Sequence, residues 1–120
     1  MDKKNLAGQK INNIRVFNLI KSLGIKTSTT GMKYILSVIL IGYSSYDDLM
    51  NFEKIYKVIA KKYDVSPSTV RNAIKNSLDH RNYKLAEKNF ESIFGYEYNE
   101  YTFINKEFFE EILRVISIES

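Results

Sequence analysis

The sequence predicts an all-α protein, a compact bundle of about six helices that contains a helix-turn-helix. Apolar residues recur mostly at helical spacing, helix caps and stops divide the chain, and two amphipathic helices meet across a break of three residues. With 120 residues, 44% of them apolar, and no cysteine, the chain can bury one core without disulfides. We expect a flexible N-terminal arm at residues 1–10 and a single helical domain at residues 11–120.

Two long helices are predicted in the N-terminal part. The first runs from Ile11 to Leu23 and ends at Gly24, which suits the left-handed conformation past a helix end. Thr29 or Thr30 can cap the second, from about Met32 to Ile41. Apolar residues nearly surround this second helix, so we expect it to be the buried centre of the core.

Shorter helices are predicted on both sides of residues 52–80. Residues 43–50 are expected to form one of them, capped by Ser45. Residues 81–94 are expected to form another, which ends at Gly95.

Residues 52–80 carry the functional prediction. An apolar stripe at helical spacing predicts a helix that ends near Tyr63. Ser66 can cap a second helix from Pro67 to Asp79, and Val65 and Val70 can form a hydrophobic staple. This spacing is typical of a helix-turn-helix, whose second helix enters the DNA major groove. The stripe consists of Phe52, Ile55, Tyr56, Ile59, Ala60 and Tyr63.

The outward face of the second helix is expected to contact DNA. If Val70, Ile74 and Leu78 face the core, helical spacing turns several polar residues outward. Arginine can pair with guanine and asparagine with adenine, whereas lysine suits phosphate. We therefore predict base contacts from Ser68, Thr69, Arg71, Asn72, Lys75 and Asn76, and phosphate contacts from Lys61, Lys62, Ser66, Arg81 and Lys84.

The C-terminal part is predicted to end in one more helix. Residues 96–104 alternate and could form a hairpin, although the centre lacks the glycine that a tight turn favours. Asn105 is expected to cap the last helix, and Ile104 and Phe109 to form a staple. The apolar face of this helix is wider than core packing usually needs. This width suggests a homodimer through the helix, which could form only when the protein is bound to DNA. The face consists of Phe108, Phe109, Ile112, Leu113, Val115 and Ile116.

Positive charge is concentrated away from the C-terminus. Residues 1–46 carry seven basic residues and one acid, residues 47–88 carry nine and six, and residues 89–120 carry two and seven. A basic front and middle suit a polyanion such as duplex DNA. The alternative is that the lysine-rich helices are simply solvated.

Several sequence stretches together resemble a known family. IKSLGI, KTSTTGMKYILSVI, IAKKYDVSPSTVRNAIKNS, FGY and NKEFFEEI occur in order between Asn18 and Ile118. In these the chain resembles the C-terminal DNA-binding effector domain of stage zero sporulation protein A, a response-regulator family. The resemblance implies a six-helix bundle without a hairpin at residues 96–104, sequence-specific duplex binding and transcriptional control, often by tandem copies on repeated sites.

The chain departs from that family in two respects. Its 120 residues leave no room for the N-terminal receiver domain, so we do not expect activation by phosphorylation. The family has largely arginine, glutamate and histidine at the positions that match Thr69, Arg71, Asn72, Lys75 and Asn76. The stretches that build the helix-turn-helix therefore resemble the family, whereas the residues expected to contact bases differ from it. This difference predicts a DNA site unlike the one that the family recognises.

The sequence does not favour an enzyme. It has no glycine-rich phosphate loop and no histidine or cysteine cluster, so we expect no cofactor and no bound metal. The N-terminus lacks a signal peptide and no apolar run is long enough for a membrane span, which predicts a cytoplasmic, nucleoid-associated protein. Two alternatives remain open: a protein–protein adaptor that docks through its C-terminal helix, and a plasmid or phage replication or partition factor.

Overall fold

The computed structural model describes residues 12–44 and 51–119, in which every regular element is helical. The all-α prediction is therefore confirmed. The expected arm at residues 1–10 and most of the expected short helix, including its Ser45 cap, lie outside the described residues. The described ranges contain six α-helices, namely α1 (Asn13–Ser22), α2 (Thr30–Ser44), α3 (Phe52–Tyr63), α4 (Pro67–Asp79), α5 (Tyr83–Phe94) and α6 (Asn105–Glu119), with a 3-10 helix (Glu100–Phe103) before α6.

Local signals in the sequence set most of these bounds. Thr29 Oγ1 accepts a hydrogen bond from the Met32 N–H at 3.2 Å, so Thr29 is the residue that caps α2. Gly24 and Gly95 have φ values of +89° and +86° and follow the ends of α1 and α5 as predicted. Tyr43 belongs to α2 rather than to a separate helix, so α2 is longer than the sequence indicated.

Helix α2 is the centre of the core. It packs against α3, α4 and α6, and its contact with α4 is the most extensive between any two elements. Ile35, Val38 and Ile39 are completely buried on it, which confirms the prediction of a buried central helix. The position and orientation of α4 therefore depend on α2.

The hairpin that the sequence allowed at residues 96–104 is not formed. The chain instead makes a 3-10 helix, and the Asn99 side chain accepts the Tyr101 N–H at 2.9 Å at its start. The alternation has another cause, because Tyr96 and Tyr98 both pack edge-on against Phe90, with ring centroids 5.4 and 5.1 Å away.

The expectation that Asn105 caps the last helix is wrong. The Ile104 carbonyl accepts the Phe108 N–H at 2.8 Å, so α6 already includes Asn105. The Asn105 side chain instead donates to the carbonyl of Arg71 on α4, at 3.2 Å. Ile104 is 51% exposed, which does not fit the staple expected with Phe109.

The apolar face of α6 is not in excess of what the core needs. All six of its apolar residues are buried, and the most exposed of them, Ile116, is 7% exposed. The sequence suggested a surplus because α2, α4, α5 and the 3-10 helix all pack against α6, so more than one side of it is covered. A homodimer through α6 loses the observation that suggested it.

Gly31 generates a prediction about this packing. A Cβ at Gly31 would overlap Ser77 Oγ and would lie 2.5 Å from the Ala73 carbonyl oxygen on α4. We expect Gly31→Ala to lower the free energy of unfolding by about 1 to 3 kcal/mol, because backbone atoms of α4 would have to move. Urea denaturation measures this. In an open helix position the same change would be stabilising, so an increase in stability would contradict the close packing.

Candidate nucleic-acid interface

The connection between α3 and α4 is held by backbone hydrogen bonds. Asp64 adopts the left-handed conformation, with φ 55°. The Val65 N–H donates to the Ala60 carbonyl at 2.9 Å and the Asp64 N–H donates to the Lys61 carbonyl at 3.4 Å, which is the Schellman arrangement. No glycine marks this position in the sequence, but aspartate also tolerates the left-handed region. The two helices are thus joined by only three residues.

The N-terminus of α4 presents a group of hydroxyls. Ser66 Oγ accepts the Thr69 N–H at 3.1 Å, so Ser66 is the cap that the sequence predicted, and Pro67 begins the helix. Ser66 Oγ also lies 3.1 Å from Ser68 Oγ and 2.8 Å from Thr69 Oγ1. All three hydroxyl-bearing residues are exposed. They lie at the positive end of the helix dipole, which favours an anionic ligand.

The orientation of α4 agrees with the predicted register. Val70, Ile74, Ser77 and Leu78 are buried. Of the six residues expected to face DNA, only Arg71 is half-buried, and Ser68, Thr69, Asn72, Lys75 and Asn76 are exposed.

Arg71 is held by an acid from the preceding helix. Its Nε donates to Glu53 Oε2 at 3.2 Å and its Nη2 donates to Glu53 Oε1 at 2.6 Å. These hydrogen bonds hold the pKa of the Glu53 carboxyl below its usual value, so the pair stays ionised at neutral pH. Sequence reasoning missed Glu53, because no local pattern links residues 18 positions apart on two helices.

Lys75 is also paired. Its Nζ lies 2.8 Å from Asp79 Oδ2, one turn further along the same helix. Both side chains are at least half exposed, so the pair is an ordinary surface ion pair of small energy. A ligand can therefore displace Asp79 from Lys75 at little cost.

A groove of about 540 Å³ runs beside α4. Its lining includes Arg71, Asn72 and Lys75 on α4 and Asn105 at the start of α6. Tyr56 contributes an aromatic wall from α3. The sequence did not indicate this groove, because the side that α6 contributes depends on the packing of residues more than 30 positions away.

The two lysines at the end of α3 lie beside an aromatic patch. Lys61 and Lys62 are exposed in the last turn of α3, and Lys84 is exposed on α5. The Lys62 Nζ is 5.4 Å from the Tyr63 ring centroid, and the Lys33 Nζ is 4.3 Å from the same ring. Sequence reasoning missed Lys33, which comes from α2. Lys33 and Lys62, with the neighbouring Lys61, therefore form a basic surface next to the α3–α4 connection.

Arg81 is not at the surface, so the expectation that it contacts phosphate is corrected. The residue is 4% exposed. Its guanidinium donates to the Leu78 carbonyl at 2.8 Å, to the Tyr98 hydroxyl at 2.6 Å and to Glu100 at 2.9 Å. Its guanidinium carbon, Cζ, also lies 3.7 Å from the Phe103 ring centroid. Arg81 therefore joins the end of α4 to residues 98–103 instead of facing solvent.

Two other features are absent from residues 12–44 and 51–119. No helix there combines the length and the apolar character needed to cross a membrane. Nor does that part of the chain bring together three or more side chains that could hold a metal ion.

A comparison with protein families identifies the chain. The family model described as Sporulation initiation factor Spo0A C terminal matches residues 16–116. Because the match covers most of the chain, the protein belongs to this family, a DNA-binding effector domain. The resemblance inferred from the sequence is confirmed. None of the curated proteins compared with the chain matches it.

The buried position of Arg81 generates a prediction. We expect Arg81→Lys to lower the free energy of unfolding by about 2 to 4 kcal/mol, because one ammonium group cannot replace a planar fork that reaches three acceptors. Urea denaturation without DNA measures the effect. A lysine at a surface phosphate contact would instead leave stability unchanged, and that result would restore the expectation from the sequence.

Proposed function

We propose that this member of the Spo0A C-terminal family binds specific double-stranded DNA sequences and regulates transcription, with α4 as its recognition helix in the major groove. One observation carries the proposal. Helix α4 buries one face completely in the core and presents polar side chains on the other, next to a three-residue connection from α3. A helix held in this way can present fixed hydrogen-bonding groups to base edges.

The polar side chains on α4 suit the reading of base edges. Ser68, Thr69, Arg71 and Asn72 lie within the first six residues of the helix, and recognition helices contact bases mainly through this part. Arg71 is suited to guanine O6 and N7, and Asn72 and Asn76 are suited to adenine N6 and N7. We assign the base-contacting role to these residues together with Lys75.

The sequence-independent part of the affinity is assigned to the flanking surface. Lys61, Lys62, Ser66 and Lys84 are proposed to contact phosphates, as expected from the sequence, and Lys33 joins them because it shares the Tyr63 ring with Lys62. Arg81 is left out, because it is buried. Since the proposed ligand is duplex DNA, we assign the protein to the cytoplasm, in association with the nucleoid.

The two alternatives have different support. An adaptor that docks through the C-terminal helix requires a free apolar face, but the six apolar residues expected to form that face of α6 are buried, whereas Ile118, near the end of the helix, is exposed. A plasmid or phage replication or partition factor would use the same DNA contacts. The DNA sites that the protein selects distinguish such a factor from the proposed transcriptional regulator. A regulator selects promoter-proximal sequences, whereas a replication or partition factor selects repeats at an origin or a partition locus.

Selection from a random duplex library tests the proposal. We expect a short consensus to emerge, and affinity for random duplex to fall steeply as salt rises, because phosphate contacts release counterions. Binding that stays weak at low salt, or a library that yields no consensus, would contradict the proposal.

Arg71 and Lys62 should have different effects when each is replaced by alanine. We expect Arg71→Ala to reduce discrimination at one base pair of the consensus by roughly tenfold, because a bidentate contact to guanine is lost. Lys62→Ala should weaken all sequences alike and reduce the salt slope by about one. Titrations against the consensus, its single-base variants and random duplex measure both. Equal losses on every duplex for both variants would show that the roles are wrongly assigned.

A further inference from the structure

The Glu53–Arg71 pair has a geometry that leaves part of Arg71 available. Glu53 lies in the first turn of α3 and Arg71 in the second turn of α4, so the pair joins the two helices. The carboxylate takes the edge of the guanidinium formed by Nε and Nη2. A guanidinium has five N–H donors in one plane. Two are used by Glu53, and three remain.

The remaining donors have the arrangement that guanine needs. Nη1 and the second hydrogen of Nη2 form the next edge of the same plane, with two parallel N–H groups. Guanine O6 and N7 in the major groove accept two parallel hydrogen bonds from such an edge. The geometry allows Arg71 to contact Glu53 and guanine at the same time. Glu53 is therefore not required to leave when DNA binds.

The surroundings of the pair restrict Arg71 further. The Asn105 side chain donates to the Arg71 carbonyl at 3.2 Å, which holds the backbone at this point of α4. The Tyr56 ring lies under the side chain, with its centroid 6.0 Å from the guanidinium carbon. A long side chain that is ordered before binding loses less rotamer freedom when it binds. The side chain is still 40% exposed, so a base edge can reach it.

The charge of Glu53 also needs an explanation. An isolated carboxylate beside a DNA-reading helix would repel phosphates and reduce affinity for all sequences. Paired with Arg71, it lowers the net positive charge at this point while the hydrogen-bond donors that read a base are kept. This neutralisation reduces the sequence-independent attraction to phosphates and leaves the discrimination between bases intact.

We propose that Glu53 is a positioning residue for DNA recognition, which holds Arg71 so that its free edge reads a guanine. This inference rests on the proposed function of α4. It concerns a residue outside the recognition helix, and it predicts that base preference at one position depends on a carboxylate that does not touch the base.

The test is Glu53→Gln, measured on the selected consensus and on duplexes altered at the base pair that Arg71→Ala identifies. We expect preference for guanine there to fall by about fivefold or more, because the amide has one acceptor oxygen instead of two and its NH2 group would face an N–H donor of Arg71. Affinity for random duplex should stay the same or rise. In the Arg71→Ala background Glu53→Gln should change nothing further at that base pair. Glu53→Asp, which is shorter by one methylene, should give a smaller loss there.

Asp79→Asn is the matched control. It removes one exposed carboxylate and one ion pair from α4 itself, without touching Arg71. We expect it to raise affinity for random duplex, because Lys75 loses its paired acid, and to leave the preference for guanine at the base pair that Arg71 reads unchanged.

Two outcomes would overturn the role of Glu53 without affecting the proposed function of α4. A stronger preference for guanine in Glu53→Gln would mean that Glu53 competes with DNA for Arg71. Equal weakening of all sequences, with a lower unfolding midpoint, would mean that Glu53 only supports the fold. If Arg71→Ala has no base-specific effect, the proposed function of α4 fails and the inference fails with it.

Discussion

The close approach of α2 to α4 at Gly31 is the constraint on which the rest of the structure depends. There is no room for a side chain between the two helices at this point, since Ser77 and the Ala73 carbonyl lie against the glycine. Thr29 reinforces the contact, because the hydroxyl that caps α2 also lies 3.2 Å from Ser77 Oγ. One short stretch of sequence thus begins the central helix and fixes its distance from the helix proposed to read DNA. The apolar face of α4 then has a single orientation that is compatible with the core, and the polar face is directed outward as a consequence.

The sequence predicted those parts of the fold that depend on local interactions. The bounds of α3 and α4 follow from the Ser66 cap, Pro67 and the apolar stripes, all within one or two turns, and the structure agrees with them. The stops at Gly24 and Gly95 are equally local. The errors fall where distant residues decide. Residues 96–104 alternate because their tyrosines pack on Phe90, not because strands pair, and the width of the α6 face reflects several partners that the sequence does not identify.

The same distinction applies to the candidate site. Helical periodicity was enough to predict which residues of α4 face outward, and the structure exposes five of the six. Periodicity could not show that Arg81 turns inward, because its acceptors Tyr98 and Glu100 come from a segment 17 and 19 residues further along. Nor could it identify Glu53 as the partner of Arg71. For polar residues such as Arg81 and Glu53, the neighbouring residues in the sequence do not show whether the side chain is exposed or buried.

Net positive charge is therefore a poor measure of how this protein would select a sequence. The basic residues near α4 have three different situations: Arg81 is buried in a polar and aromatic cluster, Arg71 and Lys75 are paired with carboxylates, and Lys61 and Lys62 are exposed at the end of α3. Cations that are both exposed and not neutralised by a nearby acid add most to the attraction for any duplex, which depends on counterion release. Cations neutralised by nearby acids keep their hydrogen-bond donors and add less to that attraction. Because the specificity of a DNA-binding protein is the ratio of its affinities for the preferred and the random sequence, acids on its DNA-binding surface can raise specificity while they lower affinity overall.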